Sequence, residues 1–497
     1  MNYRYVARII GILLVFETAM IAPSLVVSLL NRETDTMPIL WAMVTSLVVG
    51  LLLAAAKPKN KKLGVKEGFL VVAFGWIAAC IIGALPFYWS GSVPTFVDAF
   101  FETVSGFTTT GATVIQNIEI IPKGILFWRS FTHWLGGMGI LVLTLAVMPA
   151  LGVGAIQLFR AETPGPVADK ISPKMKDTAV ILYVAYLGIT TLETVLLMLG
   201  GVSLYESLVH TFGTVGTGGF STKNLSVGGL GGGAYVEWVI GIFMMLSGVN
   251  FALYYDIYKG RFKKVLHNEE LKYYIGIMLF ASFLIFLNLV LTKHTGVYES
   301  IRHAYFHVSS IMTTTGYTTV DYDSWPTFSR LILILLMFIG ASAGSTGGAI
   351  KVVRIVVIFK MIKREFFKVL HPRAVVPVTI NGRALRPDIV SGIMSFSFLY
   401  VLMFLFGSLF LTLEGIDLTS ASSAVAATLG NVGPGLGLLG PKGNYSFFNP
   451  ASKLMLSFMM LAGRLELFTV FVVLSPSFWG RTRKRAQMPQ TLENELE

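Results

Sequence analysis

The sequence contains Thr314-Thr315-Gly316-Tyr317-Thr318-Thr319 and three variants of that stretch. The variants are Thr109-Thr110-Gly111-Ala112-Thr113, Thr217-Gly218-Gly219-Phe220-Ser221-Thr222 and Asn431-Val432-Gly433-Pro434-Gly435. Each stretch lies between two long apolar segments and follows a short semi-apolar run, and the aligned glycines recur at quasi-regular intervals. Because internal repeats place equivalent elements in equivalent positions, the pattern predicts four loops around a single axial pore.

The composition is that of a helical membrane protein. Of the 497 residues, 54% are hydrophobic and only 13% are charged, whereas soluble proteins carry about 25% charged residues. Several stretches of about 20 residues are almost free of charge, and they lack the alternation that is typical of a β-barrel. The single cysteine, Cys80, excludes an intrachain disulfide and lies in an apolar segment, where we expect it to pack. The net charge of +12 does not indicate nucleic-acid binding, because the basic residues cluster between the apolar segments.

We predict ten spans, at residues 6–30, 39–56, 68–90, 125–150, 177–201, 234–258, 272–292, 327–359, 388–413 and 450–474. With a cytoplasmic N-terminus, most of the 39 lysine and arginine residues fall in inner segments, so both termini are expected to be cytoplasmic and the four loops to lie outside. Acidic residues on the outer side either form a cation-attracting mouth or are ordinary solvated charges. They include Asp98, Glu102, Glu206, Glu299, Asp321, Asp323 and Asp417.

From residue 68 onward the chain repeats one unit, which is a span, a short helix, a glycine loop and a second span. The short helices, at residues 95–108, 203–214, 299–313 and 418–429, cannot cross a bilayer and are expected to be re-entrant. The predicted fold class is therefore an all-α polytopic membrane protein with four tandem repeats around one central pore, plus an N-terminal pair of helices. The predicted boundaries are 1–66 for that pair, 67–158, 159–262, 263–372 and 373–480 for the repeats, and 481–497 for a cytoplasmic tail.

The loops suit a selectivity filter, in which backbone carbonyls replace the hydration shell of an ion. Glycine permits the backbone conformations that this requires, and threonine adds hydroxyl oxygens. Each short helix directs its partly negative carboxyl end towards the axis, which favours a cation. Hard oxygen ligands without a ring of carboxylates indicate a monovalent alkali ion rather than Ca²⁺. The candidate ion ligands are Thr109, Thr110, Gly111, Val215, Gly218, Gly219, Thr314, Thr315, Gly316, Asn431, Val432 and Gly433.

These loops resemble the Trk/Ktr/HKT superfamily of potassium transporters, as do Trp128-Arg129-Ser130-Phe131-Thr132-His133-Trp134-Leu135-Gly136-Gly137-Met138-Gly139 and Gly344-Ser345-Thr346-Gly347-Gly348. The extra N-terminal pair is similar to that of the bacterial Trk membrane subunit. The resemblance implies a homodimer with one pore per subunit, in the bacterial cytoplasmic (inner) membrane. It also implies a cytosolic ring of TrkA-type nucleotide-binding regulatory subunits. In plant relatives, sodium permeation accompanies a serine at the position of the first filter glycine. The glycine at that position here, Gly111, therefore favours potassium.

Two features are candidate gates. The stretch Gly340–Gly348 holds four glycines, two serines and a threonine, and a glycine costs about 1 kcal/mol against alanine in a helix. We therefore expect residues 327–359 to be interrupted by a gating loop that includes Gly344, Ser345, Thr346, Gly347 and Gly348, although a small-residue packing face would have the same composition. Arg464 lies in the middle of the last span, where it either raises a barrier to cations in the pore or pairs with a carboxylate.

The expected function is potassium uptake through a selective, channel-like pore that is driven by the electrochemical gradient and gated by the cytosolic regulator. Alternatives are a symporter coupled to Na⁺ or H⁺ and a less selective K⁺/Na⁺ pore. An enzyme is not expected, since the sequence holds no His-Glu-x-x-His zinc pattern and no Gly-x-Ser-x-Gly elbow. Potassium is the transported ion, and no cofactor is expected. Sequence patterns assign no role to Arg129 and His133 beyond helix packing.

Overall fold

The computed structural model describes residues 1–58, 64–139 and 175–480, which are mainly helical. The first half contains α1 (Tyr3–Asn31), α2 (Thr36–Ala54), α3 (Val65–Gly83), α4 (Leu85–Trp89), α5 (Phe96–Phe107), α6 (Lys123–Gly137), α7 (Met175–Leu199), α8 (Leu204–Gly216), α9 (Gly233–Ser247), α10 (Phe251–Tyr258) and α11 (Phe262–Leu266). The second half contains α12 (Glu269–Leu291), α13 (Val297–Met312), α14 (Thr327–Phe338), α15 (Val352–Leu370), the hairpin β1 (Thr379–Ile380) and β2 (Arg383–Ala384), α16 (Pro387–Thr412), α17 (Leu418–Leu429), α18 (Pro450–Arg464), α19 (Phe468–Leu474) and α20 (Pro476–Trp479). The predicted all-α polytopic membrane fold is confirmed.

Six segments of the described chain are long and apolar enough to cross a membrane. They are α1, α2, the stretch Lys66–Trp89 that combines α3 and α4, the part Val180–Leu199 of α7, α12 and α16. Large apolar side chains such as Phe280 on α12 remain exposed, as expected for a helix surrounded by lipid. The predicted span 125–150 lies partly outside the described residues, and the predicted tail 481–497 lies entirely outside them.

Three predicted spans are broken, and two of those breaks were not predicted. Helices α9 and α10, which occupy the predicted span 234–258, meet at an angle of 93°. Helices α18 and α19, which occupy the predicted span 450–474, meet at 117°. The third break, between α14 and α15, lies at the glycine-rich stretch where an interruption was expected. Since α9, α14 and α18 have 12 to 15 residues each, they reach only about 18–22 Å, less than the hydrocarbon core.

The four predicted re-entrant helices are α5, α8, α13 and α17. Three of them begin at a side chain that caps the helix, namely Thr95, Ser203 and Asp417. Hydrogen bonds from Ser420 to the Asp417 carboxylate lower its pKa below the usual value. The four helices have 12 to 16 residues each, and each is followed directly by one of the glycine loops.

The N-terminal pair packs on the first repeat rather than standing apart from it. Glycines at the crossing of α1 and α2 allow close approach, since a Cβ on Gly11 would lie 2.3 Å from the amide nitrogen of Ala54. The carboxylate of Asp35 accepts a hydrogen bond from the amide of Ile125, at the start of α6. The pair and the first repeat share one hydrophobic core.

Candidate functional site

The four glycine loops begin with the same backbone cap. In the first loop, the amide of Thr110 donates to the carbonyl of Ser105 at 2.8 Å and that of Thr109 donates to Gly106 at 3.1 Å. This is the Schellman arrangement, in which the last carbonyls of a helix are satisfied by the turn that follows. The equivalent pairs of bonds recur in the other three loops, at 2.7–2.8 Å and 3.1–3.2 Å.

Each loop then places two residues at positive φ on either side of one middle residue. The first positive-φ residues are Thr109, Thr217, Thr314 and Asn431, with φ of 55–59°. The second are the glycines Gly111, Gly219, Gly316 and Gly433, with φ of 77–101°. The middle residues are Thr110, Gly218, Thr315 and Val432. The four loops are therefore equivalent in conformation as well as in sequence.

The loops close into a ring, which we call the filter ring (residues 109–111, 217–219, 314–316 and 431–433). A Cβ on Gly111 would lie 2.0 Å from the carbonyl oxygen of Gly218, and one on Gly219 would lie 2.0 Å from that of Thr315. The third and fourth contacts complete the ring, from Gly316 to the Val432 carbonyl at 2.1 Å and from Gly433 to the Thr110 carbonyl at 2.5 Å. Each glycine thus packs against the middle carbonyl of the next loop.

Of the candidate ion ligands, Val215 lies outside the filter ring. It lies in α8, with its side chain in a hydrophobic cluster with Tyr186 and Phe251. Thr217 occupies the position that Thr109 and Thr314 hold in their loops. The second loop contains Gly216, Gly218 and Gly219, and this glycine-rich run obscures its register in the sequence.

A cavity of about 120 Å³ is lined by the four ring glycines. Its lining also includes Lys223, Asn224, Lys442 and Tyr445. The four loops therefore share one cavity.

The acidic residues predicted for the outer side are largely paired with bases, contrary to the interpretation as an open cation-attracting mouth. Lysines pair with Asp98 at 2.6 Å, Glu206 at 3.2 Å and Asp321 at 3.1 Å. Arginines pair with Glu102 at 2.7 Å and Asp323 at 3.6 Å. These charges therefore fix loops and helices to one another rather than producing an acidic field.

The pair of Arg129 and Glu102 connects the first two loops, which gives Arg129 a role that sequence patterns do not reveal. Both side chains are at most 1% exposed. The Glu102 carboxylate also accepts hydrogen bonds from Thr113 and Val114, just past the first ring glycine. Arg129 donates to the carbonyl of Ser221, just past the second. A buried pair of this kind holds both loops against one helix, α6.

Aromatic side chains contact the residues that follow the ring glycines. Arg129 also stacks on Phe220, and the His133 ring stacks on the same side chain at 4.1 Å. Tyr317 of the third loop donates to the carbonyl of Phe220 at 3.0 Å, which joins the third loop to the second. Tyr445 donates to the carbonyl of Gly433 at 2.7 Å. These contacts agree with a structural role for His133.

The glycine-rich stretch forms a loop directly against the ring, which we call the gating loop (residues 340–351). Its ends are joined, since the amide of Gly340 donates to the carbonyl of Ile350 at 2.9 Å. The amide of Gly348 donates to the hydroxyl of Thr314 at 2.7 Å. A Cβ on Gly348 would lie 2.5 Å from the carbonyl of Gly430. The gating loop therefore contacts the third and fourth re-entrant units at the start of the ring.

Arg464, at the end of α18, bridges the gating loop and the first repeat. It donates to the carbonyl of Thr346 at 2.7 Å and to the carbonyls of Gly136 and Gly137 at the end of α6. The neighbouring Glu466 pairs instead with Arg354 of α15. The guanidinium therefore joins α18, the gating loop and the end of α6, and it bonds to their backbone carbonyls among the described residues.

Comparison with known proteins identifies similar sequences along the whole chain. Residues 38–481 match the family TrkH, described as a cation transport protein. The chain is 39% identical over 488 residues to the Trk system potassium uptake protein TrkH of Escherichia coli K12, covering 96% of this chain and 100% of the relative. The corresponding protein of Vibrio parahaemolyticus is 38% identical over 489 residues, with the same shares covered. The crystal structure of the potassium transporter TrkH from V. parahaemolyticus matches with a TM-score of 0.87 and 34% identity, covering 97% of this chain and 100% of that structure.

Proposed function

This chain belongs to the TrkH family of cation transport proteins, and from that premise we propose that it takes up potassium through the filter ring. The family is one of transporters, so the chain is not an enzyme. The proposed route is channel-like: potassium is driven by the electrochemical gradient, enters the cavity lined by the ring glycines and passes through the ring.

The closed ring of equivalent loops is the observation that carries this proposal. Positive φ on both sides of each middle residue suits a backbone whose successive carbonyls turn to one side, as the replacement of a hydration shell requires. The carboxyl ends of α5, α8, α13 and α17 all adjoin the ring, and their partial negative charges favour a cation there. The proposed ligands are the backbone carbonyls and threonine hydroxyls of residues 109–111, 217–219, 314–316 and 431–433.

The gating loop and Arg464 are the proposed gate. Their hydrogen bonds to the ring, to α6 and to each other support an arrangement in which passage requires the loop to move. A cationic guanidinium beneath a cation filter also raises the electrostatic energy of a passing ion. We propose that the gate is operated from the cytosol by a nucleotide-binding regulatory ring of the TrkA type. The protein is further proposed to be a homodimer in the cytoplasmic membrane.

Tracer uptake into liposomes tests the proposed function. Purified protein, alone and with its regulatory subunit, is reconstituted, and uptake of labelled potassium is measured against rising concentrations of K⁺ or Na⁺. We expect saturable uptake that unlabelled K⁺ suppresses at lower concentration than Na⁺ does. Equal suppression by the two ions would support the less selective pore. Uptake that requires a Na⁺ or proton gradient would support a symporter, and no uptake under either condition would contradict the proposal.

A further inference from the structure

Glu270 contacts both sides of the gating loop from the start of α12. Its side-chain atom Oε1 accepts a hydrogen bond from the amide of Ala343 at 2.6 Å and from the amide of Val353 at 3.3 Å. Ala343 lies in the first half of the loop, and Val353 lies in the first turn of α15, which follows the loop. One buried carboxylate oxygen therefore joins the two sides of the loop near its base.

The geometry of this position suits a hydrogen-bond acceptor. Amides in the first turn of a helix have no partner within the helix, so the Val353 amide needs an acceptor from elsewhere. The amino end of α15 carries a partial positive charge that favours an anion. Hydrogen bonds to a charged group are also stronger than those between neutral groups. Glu270 thus stabilises the beginning of α15 and the conformation of the loop before it.

The remaining supports of the loop come from its other sides. The amide of Ser342 donates to the carbonyl of Gly248, and the amide of Phe251 donates to the carbonyl of Gly344, each at 3.0 Å. These two bonds place the first half of the loop on the break between α9 and α10. Arg464 and the ring hold the second half. Glu270 differs from these supports because it lies at the end of α12 that continues into the basic segment 259–268.

The neighbouring residue fixes that end of α12 to other elements. Glu269 pairs with Lys360 of α15 at 2.5 Å, and its amide donates to Asn381 of the hairpin at 2.8 Å. In the orientation predicted from the charge distribution, this region faces the cytosol. A partner that displaced the amino end of α12 would therefore move Glu270 relative to the gating loop.

We propose that Glu270 is a positioning residue of the gate, which holds the gating loop beneath the filter ring until the amino end of α12 is displaced from the cytosolic side. This inference rests on the proposed function of the loop as a gate. It assigns the control of that gate to a particular carboxylate at a particular helix end.

Cysteine labelling of the loop tests the contact independently of transport. The only cysteine of the chain, Cys80, is fully buried, so Ser345→Cys provides a half-buried probe on the loop over a low background. Because Glu270→Ala removes two hydrogen bonds to a carboxylate, we expect the probe to react with a thiol reagent at least about ten-fold faster. Glu365→Ala is the control, since it removes an exposed carboxylate of α15 that pairs with the adjacent Arg364, and it should leave the rate unchanged. Equal rates for the Glu270 variant, the control and the parent would overturn the proposal.

Potassium uptake by the same variants separates the two proposals. Faster labelling with raised basal uptake in Glu270→Ala supports both. Faster labelling with unchanged uptake would contradict the assignment of the loop as the gate, although the contact itself would stand. If Glu270→Ala does not yield monodisperse protein, Glu270→Gln replaces it, because the amide loses the charge but retains an acceptor oxygen. That variant should then label faster than the control Glu365→Gln, and equal rates would overturn the proposal.

Discussion

Threonine at positive φ is uncommon, yet three loops of the filter ring begin with one. The left-handed conformation costs a non-glycine residue roughly 1–2 kcal/mol, and glycine would avoid that cost. The hydroxyl of Thr314 accepts a hydrogen bond from the gating loop, and that of Thr217 donates to Gly216. The buried hydroxyl of Thr109 has no hydrogen-bond partner among the described residues. The presence of threonine in three loops, where glycine would avoid this cost, supports the proposal that these hydroxyls have a role in the pore.

We predict that Gly111→Ser lowers the preference for K⁺ over Na⁺. Its Cβ would overlap the Gly218 carbonyl, so the first and second loops must separate. Gly91→Ser is the matched control, because Gly91 also has positive φ but a Cβ there would meet nothing within 4 Å. Both variants incur the left-handed strain, and only the first distorts the ring. Competition by Na⁺ in the tracer assay measures the preference, and identical behaviour of the two variants would contradict the prediction.

We predict that Arg464→Ala raises basal cation uptake, and that Arg464→Lys raises it as well. The planar guanidinium bonds to Thr346 and to α6 at the same time, and the ammonium of lysine cannot reproduce that fork. The lysine variant therefore distinguishes the hydrogen bonds of Arg464 to two segments from the effect of its positive charge alone. Uptake of labelled potassium by protein without its regulator is the measurement. Basal uptake by the lysine variant equal to that of the parent would indicate that the positive charge is sufficient. Basal uptake by the alanine variant equal to that of the parent would refute the role of Arg464 in the gate.

At the scale of the elements, the important feature is that α9 and α18 each end at a sharp break in the chain direction. Helix α9 ends before Gly248, where a Cβ would lie 2.2 Å from the Tyr274 hydroxyl, and Asn250 then caps α10. Helix α18 ends at Arg464, and Glu466 has a positive φ of 58°. Because the broken ends place backbone carbonyls and amides beneath the ring, they can accept and donate the hydrogen bonds that fix the gating loop.

We predict that Glu102→Ala destabilises the protein strongly, because it leaves Arg129 buried without its carboxylate. Breaking a buried pair in this way costs about 3–5 kcal/mol. Glu206→Ala is the control, since the pair of Glu206 with Lys223 is partly exposed and such pairs contribute at most about 1 kcal/mol. Heating the purified variants and measuring the remaining monodisperse protein should give a much lower midpoint for the first. Similar midpoints would show that the buried pair does not hold the loops.

At the scale of the whole molecule, the ring is continuous because the fourth loop meets the first. Gly433 lies against Thr110, and Asn431 donates to the Thr110 hydroxyl at 3.0 Å. The fourth loop differs most in sequence, with Asn431, Val432 and Pro434, yet its backbone follows the same path. The ring is thus fourfold in its backbone and asymmetric in its side chains.

We predict that the two ends of α12 lie on opposite sides of the membrane, with Glu269 inside. A membrane-impermeant thiol reagent on intact cells should label His294→Cys, beyond the end of α12, and not Lys263→Cys, before its start. Both positions are exposed, and the native Cys80 is fully buried. Permeabilised cells should show labelling at both positions, which controls for reactivity. If intact cells showed labelling of Lys263→Cys and not of His294→Cys, the predicted orientation of α12 would be wrong.

Local properties of the chain are what the sequence alone determines. The apolar stretches identify a membrane protein, and the four re-entrant helices lie within a few residues of their predicted positions. The glycines Gly111, Gly219, Gly316 and Gly433 are recognisable because a positive φ selects glycine wherever it occurs. The break in the helix at residues 340–348 is also predictable, because its many small residues oppose a continuous helix.

The tertiary structure decides what depends on which segments meet. Hydropathy cannot distinguish a straight span from the pairs α9–α10 and α18–α19, because both halves of each pair are apolar. The partners of Arg129 and Glu270 are distant in the chain, so no spacing rule connects them. The choice of Thr217 over Val215 follows from backbone conformation, which the run of neighbouring glycines leaves undetermined. Ring closure, the support of the gating loop and the pairing of the outer acids with bases all depend on contacts that exist only in the folded molecule.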